Sequence, residues 1–264
     1  ELIRHALDAG VRQIIIGIGG SATNDGGAGM AQALGAKLLT AEGQQIASGG
    51  GALETLARID LSELDSRLAD CRIDVACDVT NPLTGPQGAS VVFGPQKGAT
   101  AQMIDRLDSG LRHYARIIAR DLDIDVLSLE GGGAAGGMGA ALYAFCGAQL
   151  RPGIEIVTDA LQLAERVADA DLVITGEGRI DSQTIHGKVP VGVARVAKRF
   201  NVPVIGIAGS LTADVGVVHQ HGLDAVFSVL YTICTLDEAL ANAAANLRMT
   251  ARNLAAVLQM GDRR

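Results

Sequence analysis

The sequence predicts an α/β fold with a mainly parallel sheet, and three observations carry that prediction. Short runs of Val, Ile and Leu alternate along the chain with helical stretches. The strand runs are almost continuously apolar, the pattern of parallel strands buried on both faces. The apolar content is aliphatic: hydrophobic residues make up 48% of the chain, aromatics only 3%, and Trp is absent. That favours helices packed on a sheet over an aromatic-rich β-sandwich. The 264 residues suffice for one large domain or two smaller ones.

The elements follow in order. Residues 1–9 place Leu2, Ile3, Ala6 and Leu7 on one helical face, and Gly10 stops the helix. A strand spans 11–18, a glycine loop 19–27 and a helix about 27–38. Residues 40–51 read as loop or hairpin, 62–69 as a weak helix and 72–78 as a strand. A long irregular stretch follows, with a short strand at "SVVF". An amphipathic helix covers 101–120, and a second glycine loop, "EGGGAAGGMG", opens a helix at 138–147. The second half reads helix 158–167 with Thr158 and Asp159 as caps, strand 171–175, helix 189–200, strand 203–208, helix 213–220, strand 224–230 and helix 236–258. A parallel α/β unit opens on a strand, so a chain that opens on a helix predicts further sequence upstream.

Composition narrows the partners. The net charge is −7 and no run of Lys or Arg exists, which excludes a nucleic-acid footprint. No apolar run reaches the length of a membrane helix, and no signal-peptide pattern is present. Cys71, Cys77, Cys146 and Cys234 show no CxxC spacing and read as core thiols of a cytoplasmic protein. A homodimer is compatible with the sequence.

Four loops could carry chemistry. "IIIGIGGSATNDGGAGM" brings a strand into six glycines with Ser21, Thr23, Asn24 and Asp25. Exposed N–H groups at Gly19 and Gly20, with the start of the next helix, favour an anion. Gly17-x-Gly19-x-x-Ala22 partly matches a dinucleotide fingerprint, but the acid at the required distance, Glu42, lies in a polar loop. No Walker loop exists, since Gly187-Lys188 is followed by Val189. "TGEGRIDSQTIHGKVP" packs Gly176, Glu177, Arg179, Asp181, His186 and Lys188 behind a buried strand. Phosphoryl transfer needs cations against the transferred group and a carboxylate for Mg²⁺ or the acceptor proton; Arg179, Lys188 and Asp181 are of those types. In "DVTNPLTGPQGASVVFGPQKGA", Asp78 ends a strand and suits a base or metal ligand, with Asn81 and Lys97 nearby in sequence. "LEGGGAAGGMGAAL" opens a helix and suits either an anion or close packing.

The segments "GIGGSATNDGGAGM", "CDVTNPLTGPQGASVVFGPQKGAT", "GGGAAGGMGAAL" and "DLVITGEGRIDSQTIHGKVPVGVA" together resemble the bacterial type-1 glycerate kinases, in the same order and across the whole chain. The resemblance implies phosphorylation of D-glycerate with ATP and Mg²⁺, at the 2-hydroxyl, with the 3-hydroxyl as the alternative. An NAD(P)-dependent oxidoreductase and a non-catalytic anion-binding module are the rival readings. It also implies two α/β domains: an inserted one over 1–187, and a Rossmann- or flavodoxin-like one, incomplete here, whose carboxyl half is 188–264. Asp78, Asp181, Lys188 and Arg179 become the expected catalytic residues, with Asp181 and Asp78 on Mg²⁺. Gly19, Gly20, Ser21, Thr23, Asn24, Asp25, Asn81, Lys97, Gly176 and Glu177 become the expected binding residues. Members of that family also carry an amino-terminal strand, a Ser/Lys-bearing loop and an Asp-Gly-Gly-Glu-Gly segment that have no counterpart here.

Overall fold

The computed structural model describes residues 1–261. They form two compact units, Glu1–Gly153 and a second that begins at Ile154. The boundary expected near 187 falls inside the second unit.

The first unit runs α1 (Leu2–Asp8), β1 (Gln13–Gly17), α2 (Ala28–Ala33), β2 (Lys37–Leu39), β3 (Arg58–Asp60), β4 (Arg72–Ala76), α3 (Ala89–Phe93), α4 (Ala101–Leu122), α5 (Ala134–Cys146) and β5 (Gln149–Arg151). Strands β1, β4 and β5 form a parallel sheet in the order β1-β4-β5, and β2 and β3 pair antiparallel. The core is aliphatic, as the composition predicts: Leu38, Leu53, Ile73, Val75, Leu111, Ile118 and Leu142 are all fully buried. Tyr114 of α4 stacks on Phe145 of α5 with ring centroids 6.3 Å apart. Thr100 caps α4 by accepting the Met103 N–H at 3.3 Å.

The second unit holds α6 (Gly153–Ala160), α7 (Leu163–Val167), β6 (Val173–Ile180), α8 (Val189–Lys198), β7 (Val204–Leu211), β8 (Ala225–Ser228), α9 (Leu236–Ala241) and α10 (Ala243–Gly261). Its sheet is parallel throughout, in the order β6-β7-β8. Val191 and Ala194 of α8 bury against Val204 and Ala208 of β7. Ile205, Ile207 and Leu254 pack together around α10. Among the described residues no helix is long and apolar enough to cross a membrane.

Several elements differ from the sequence reading. "SVVF" is helical, in α3: Gly88 starts the turn, and Ala89 and Ser90 bury against α4 and α5. The helix expected over 158–167 is broken at Gln162, whose φ is +52°. The helix expected over 213–220 is a 3₁₀ segment, Val215–His221, and that over 236–258 is interrupted at Asn242. Strand β6 runs on to Ile180, because its parallel ladder with β7 continues as far as the Ile180–Leu211 pair. Gly176, Glu177 and Arg179 therefore lie in a strand and not in a loop.

Candidate active site

In the first unit, β1 and β4 deliver their chains to one edge of a parallel sheet, where open α/β folds bind ligands. A cavity of about 260 Å³ opens there, lined by Gly19, Gly20, Ser21, Cys77, Asp78 and Gln96 among others. Asp78 is exposed, and its Oδ1 accepts the Gly153 N–H at 2.8 Å. Its Oδ2 has no hydrogen bond among the described residues.

The glycine loop divides into two parts with different physics. A Cβ built on Gly19 or Gly20 meets nothing within 4 Å, so this backbone lies open beside Asp78. The later glycines are packed. The Gly26 N–H donates to the Gly136 carbonyl at 2.9 Å, and a Cβ on Gly136 would stand 2.1 Å from the Thr23 carbonyl oxygen. The two glycine loops are thus interlocked backbone to backbone, which answers the anion-or-packing question for "EGGGAAGGMG" in favour of packing.

The anion expected at the start of α2 is the chain's own. Asp25 Oδ1 accepts the Gly27 N–H at 3.0 Å and Oδ2 the Gly29 N–H at 3.1 Å. The carboxylate takes the place a substrate anion would occupy. Asn24 donates from Nδ2 to the buried Ser90 hydroxyl at 2.9 Å, and its Oδ1 is buried without a partner. Lys97 Nζ donates to the Thr23 carbonyl at 2.6 Å; burial draws its ammonium below the ordinary lysine range, against the nearby Asp25 charge. Asn81 is likewise committed, donating to the Gln87 carbonyl at 2.8 Å and accepting the Gly133 N–H at 3.0 Å on its own carbonyl. Ser21 alone of the loop's polar side chains lines the cavity.

In the second unit, Asp181 follows β6 and caps a 3₁₀ turn, Ser182–Ile185, through a capping box with Thr184. Its Oδ1 faces three donors: the Gln183 N–H at 3.0 Å, the Thr184 hydroxyl at 3.3 Å and Lys188 Nζ at 3.4 Å. Arg179 Nε stands 3.4 Å from Oδ2. Burial opposes the charge, but Lys188, the Gln183 amide and Arg179 outweigh it and hold the carboxyl below its ordinary range. Arg179 keeps most of its side chain in solvent, and Lys188 is half-buried. His186 is exposed at the end of the turn. Glu177, paired across the ladder with Ala208, has a buried carboxylate oxygen without a partner. Gly176 lies beside it, close to the Ile207 carbonyl.

The residues fit a magnesium–nucleotide pair in a limited sense. Among the described residues no cluster of three or more His, Cys, Asp or Glu side chains could hold a metal. Mg²⁺ bound to phosphates needs only one or two protein carboxylates. Asp78 has an oxygen free for that work; Asp181 is committed to four donors. Glu42 sits in the turn after an antiparallel strand, with its N–H on the Thr40 hydroxyl, so the dinucleotide fingerprint lacks its acid at a parallel strand end.

A family model described as the glycerate kinase family matches residues 1–259. The chain belongs to the glycerate kinase family. It is 66% identical over 263 residues to the protein named glycerate 2-kinase of Escherichia coli K12, covering all of this chain and 69% of that protein. It is 56% identical to the glycerate kinase of Bacillus subtilis 168, covering 98% of this chain and 68% of that one. A crystal structure of a Salmonella typhimurium LT2 protein assigned as glycerate kinase 2 superimposes with a TM-score of 0.84 at 74% identity, over all of this chain and 68% of that one. Family membership agrees with the α/β architecture and with a kinase, not a nicotinamide enzyme. Sequence reasoning missed Gln96 on the cavity wall and Ser90 behind Asn24. Each joins chain segments that no local pattern connects.

Proposed function

We propose that the chain forms the larger part of an ATP-dependent glycerate kinase that phosphorylates D-glycerate at the 2-hydroxyl. The observation that carries the reading is the free oxygen of Asp78 beside the open backbone of Gly19 and Gly20, at the carboxyl edge of a parallel sheet. The N–H groups of that backbone and the Ser21 hydroxyl are donors suited to the glycerate carboxylate. Asp78 Oδ2 orients the acceptor hydroxyl and takes its proton as the new O–P bond forms and the bond to the leaving diphosphate breaks. Within the second unit, Asp181 holds Lys188 and Arg179 in place, and these are cations of the type that bind nucleotide phosphates. Mg²⁺ bound with the nucleotide would supply charge neutralisation at its phosphates. We also propose the inserted-domain organisation implied by the resemblance, and a cytoplasmic location.

A coupled ADP-release assay with D-glycerate, run on this chain and on a full-length relative-length version, tests the reading. Phosphorus NMR of the product separates 2- from 3-phosphoglycerate. Glycerate-independent ADP release, or none from the longer protein, refutes it. A protein that binds D-glycerate without turnover in the longer form would instead be the non-catalytic module.

A further inference from the structure

The turn between α3 and α4 brings one more polar side chain to the cavity beside Asp78. Gln96 sits in the 3₁₀ turn Pro95–Lys97 and lines that cavity. The backbone of this turn is held at several points. A Cβ on Gly94, just before it, would stand 2.2 Å from the Ser90 carbonyl oxygen, so the turn starts tight against the end of α3. Gly98 closes it in the left-handed region at φ +87°, with its N–H on the Pro95 carbonyl at 3.0 Å. Lys97 ties it to the glycine loop through the Thr23 carbonyl at 2.6 Å. Gln96 itself is exposed, and its side-chain amide makes no hydrogen bond among the described residues. A held backbone thus presents an uncommitted amide, which carries two donors and an acceptor.

The side chains with polar atoms on the cavity wall are Ser21, Cys77, Asp78 and Gln96. The Cys77 thiol already donates to the Val79 carbonyl at 3.3 Å. In the proposed reading, Ser21 and the N–H groups of Gly19 and Gly20 meet the glycerate carboxylate, and Asp78 meets the 2-hydroxyl. Glycerate then has one polar group left, the 3-hydroxyl, which both donates and accepts. Of the four side chains, Gln96 is the uncommitted one that can answer both needs.

We propose that Gln96 is a specificity-determining residue that hydrogen-bonds the glycerate hydroxyl that is not phosphorylated. The identity of the ligand rests on the proposed kinase reading. A site built to hydrogen-bond a hydroxyl rejects the analogue that lacks it, because its own polar group is then left without a partner. Gln96 therefore separates glycerate from a 2-hydroxy acid that ends in a methyl group.

The test titrates the longer protein with D-glycerate and with D-lactate, followed by ligand-observed NMR. D-Lactate keeps the carboxylate and the 2-hydroxyl and has a methyl in place of the hydroxymethyl. The variants are Gln96→Met, which keeps the length of the side chain without its polar atoms, and Gln96→Leu. Both should melt as the parent does, since the side chain is exposed. The parent is expected to bind D-glycerate roughly 10- to 50-fold more tightly than D-lactate, and both variants to bind the two acids within about threefold of each other, with the D-lactate Kd unchanged. A parent that does not discriminate, or variants that keep the discrimination, overturn the proposal. An equal loss for both acids places Gln96 on a group they share and overturns it as well. Glycerate-dependent ADP release is measured alongside. Release with no Gln96-dependent discrimination leaves the kinase reading standing and removes the subsite. Discrimination lost in the variants, with no release from the parent, removes the kinase reading and leaves the subsite.

Discussion

Gly136→Ala and Gly19→Ala separate a packed glycine from an open one. At Gly136 the backbone is left-handed, with φ +71° and ψ +26°. An alanine there carries about 1–2 kcal/mol from the left-handed conformation alone. Its Cβ would also stand 2.1 Å from the Thr23 carbonyl oxygen, 2.7 Å from Asn24 Cα and 2.8 Å from the Thr23 carbonyl carbon. All three are backbone atoms that no rotamer change can move, so overpacking adds about 1–3 kcal/mol. The expected loss is about 2–5 kcal/mol in the first unit. Gly19 has no such neighbour, and alanine there should leave stability within about 0.5 kcal/mol. Urea unfolding followed by hydrogen exchange and mass spectrometry reads peptides of the two units separately. With a urea slope of about 2 kcal/mol/M, the Gly136→Ala midpoint for peptides of Glu1–Gly153 should fall by about 1–2.5 M. A fall below about 0.3 M would mean that the two glycine loops are not locked as described, and the division of the loop into packed and open parts would be refuted.

Other outcomes follow from the same geometry. Asp78→Asn should fold normally and lose about 10²–10⁴-fold in kcat for glycerate-dependent ADP release, since the amide cannot take the hydroxyl proton; turnover within threefold of the parent would remove Asp78 from the chemistry. Lys188→Ala should cost at least about 10²-fold in kcat/KM for ATP, measured by initial rates, because it removes a cation and leaves Asp181 with only Arg179 as a charged partner. Arg67 binds Asp65 through its guanidinium and, with the backbone N–H, holds the carboxyl down at about 2. A depressed carboxyl stabilises the fold above its unfolded value near 3.9 and loses that contribution as pH falls toward 2. Asp65→Asn should therefore flatten the drop in melting temperature between about pH 4 and pH 2 relative to the parent.

Much of this fold was legible because its signals are local. The amphipathic pattern over 101–120 marks α4 almost to the residue. The apolar run of 72–78 marks β4, and Asp78 at its end was legible as the carboxylate at a sheet edge. "SVVF" shows the limit of such signals. Its β-branched residues favour a strand, but burial of Ala89 and Ser90 between α4 and α5 overrides a propensity worth a fraction of a kcal/mol per residue. Strands of three residues, such as β2, β3 and β5, carry too few side chains for a period to show. The glycine loop shows the same limit in the site. Composition identifies a backbone free to bend, but only tertiary contacts distinguish Gly19, open to the cavity, from Gly136, pressed on Thr23. Asp25 looked available for ligand, and its commitment to Gly27 and Gly29 depends on a loop path that sequence spacing alone leaves undetermined.

The hydrogen bond from Gly26 to Gly136 bears on how the protein is made. The two partners lie about 110 residues apart in the chain. At a synthesis rate of about 5–20 residues per second, the first loop waits roughly 5–20 s on the ribosome before its partner is polymerised. Until then Thr23 to Gly27 have neither the Gly136 carbonyl nor the Ala141 side chain to rest on. The nascent strand β1 thus emerges with its apolar isoleucines ahead of the helix that secures the loop beyond it. That interval is when a chaperone would find this chain.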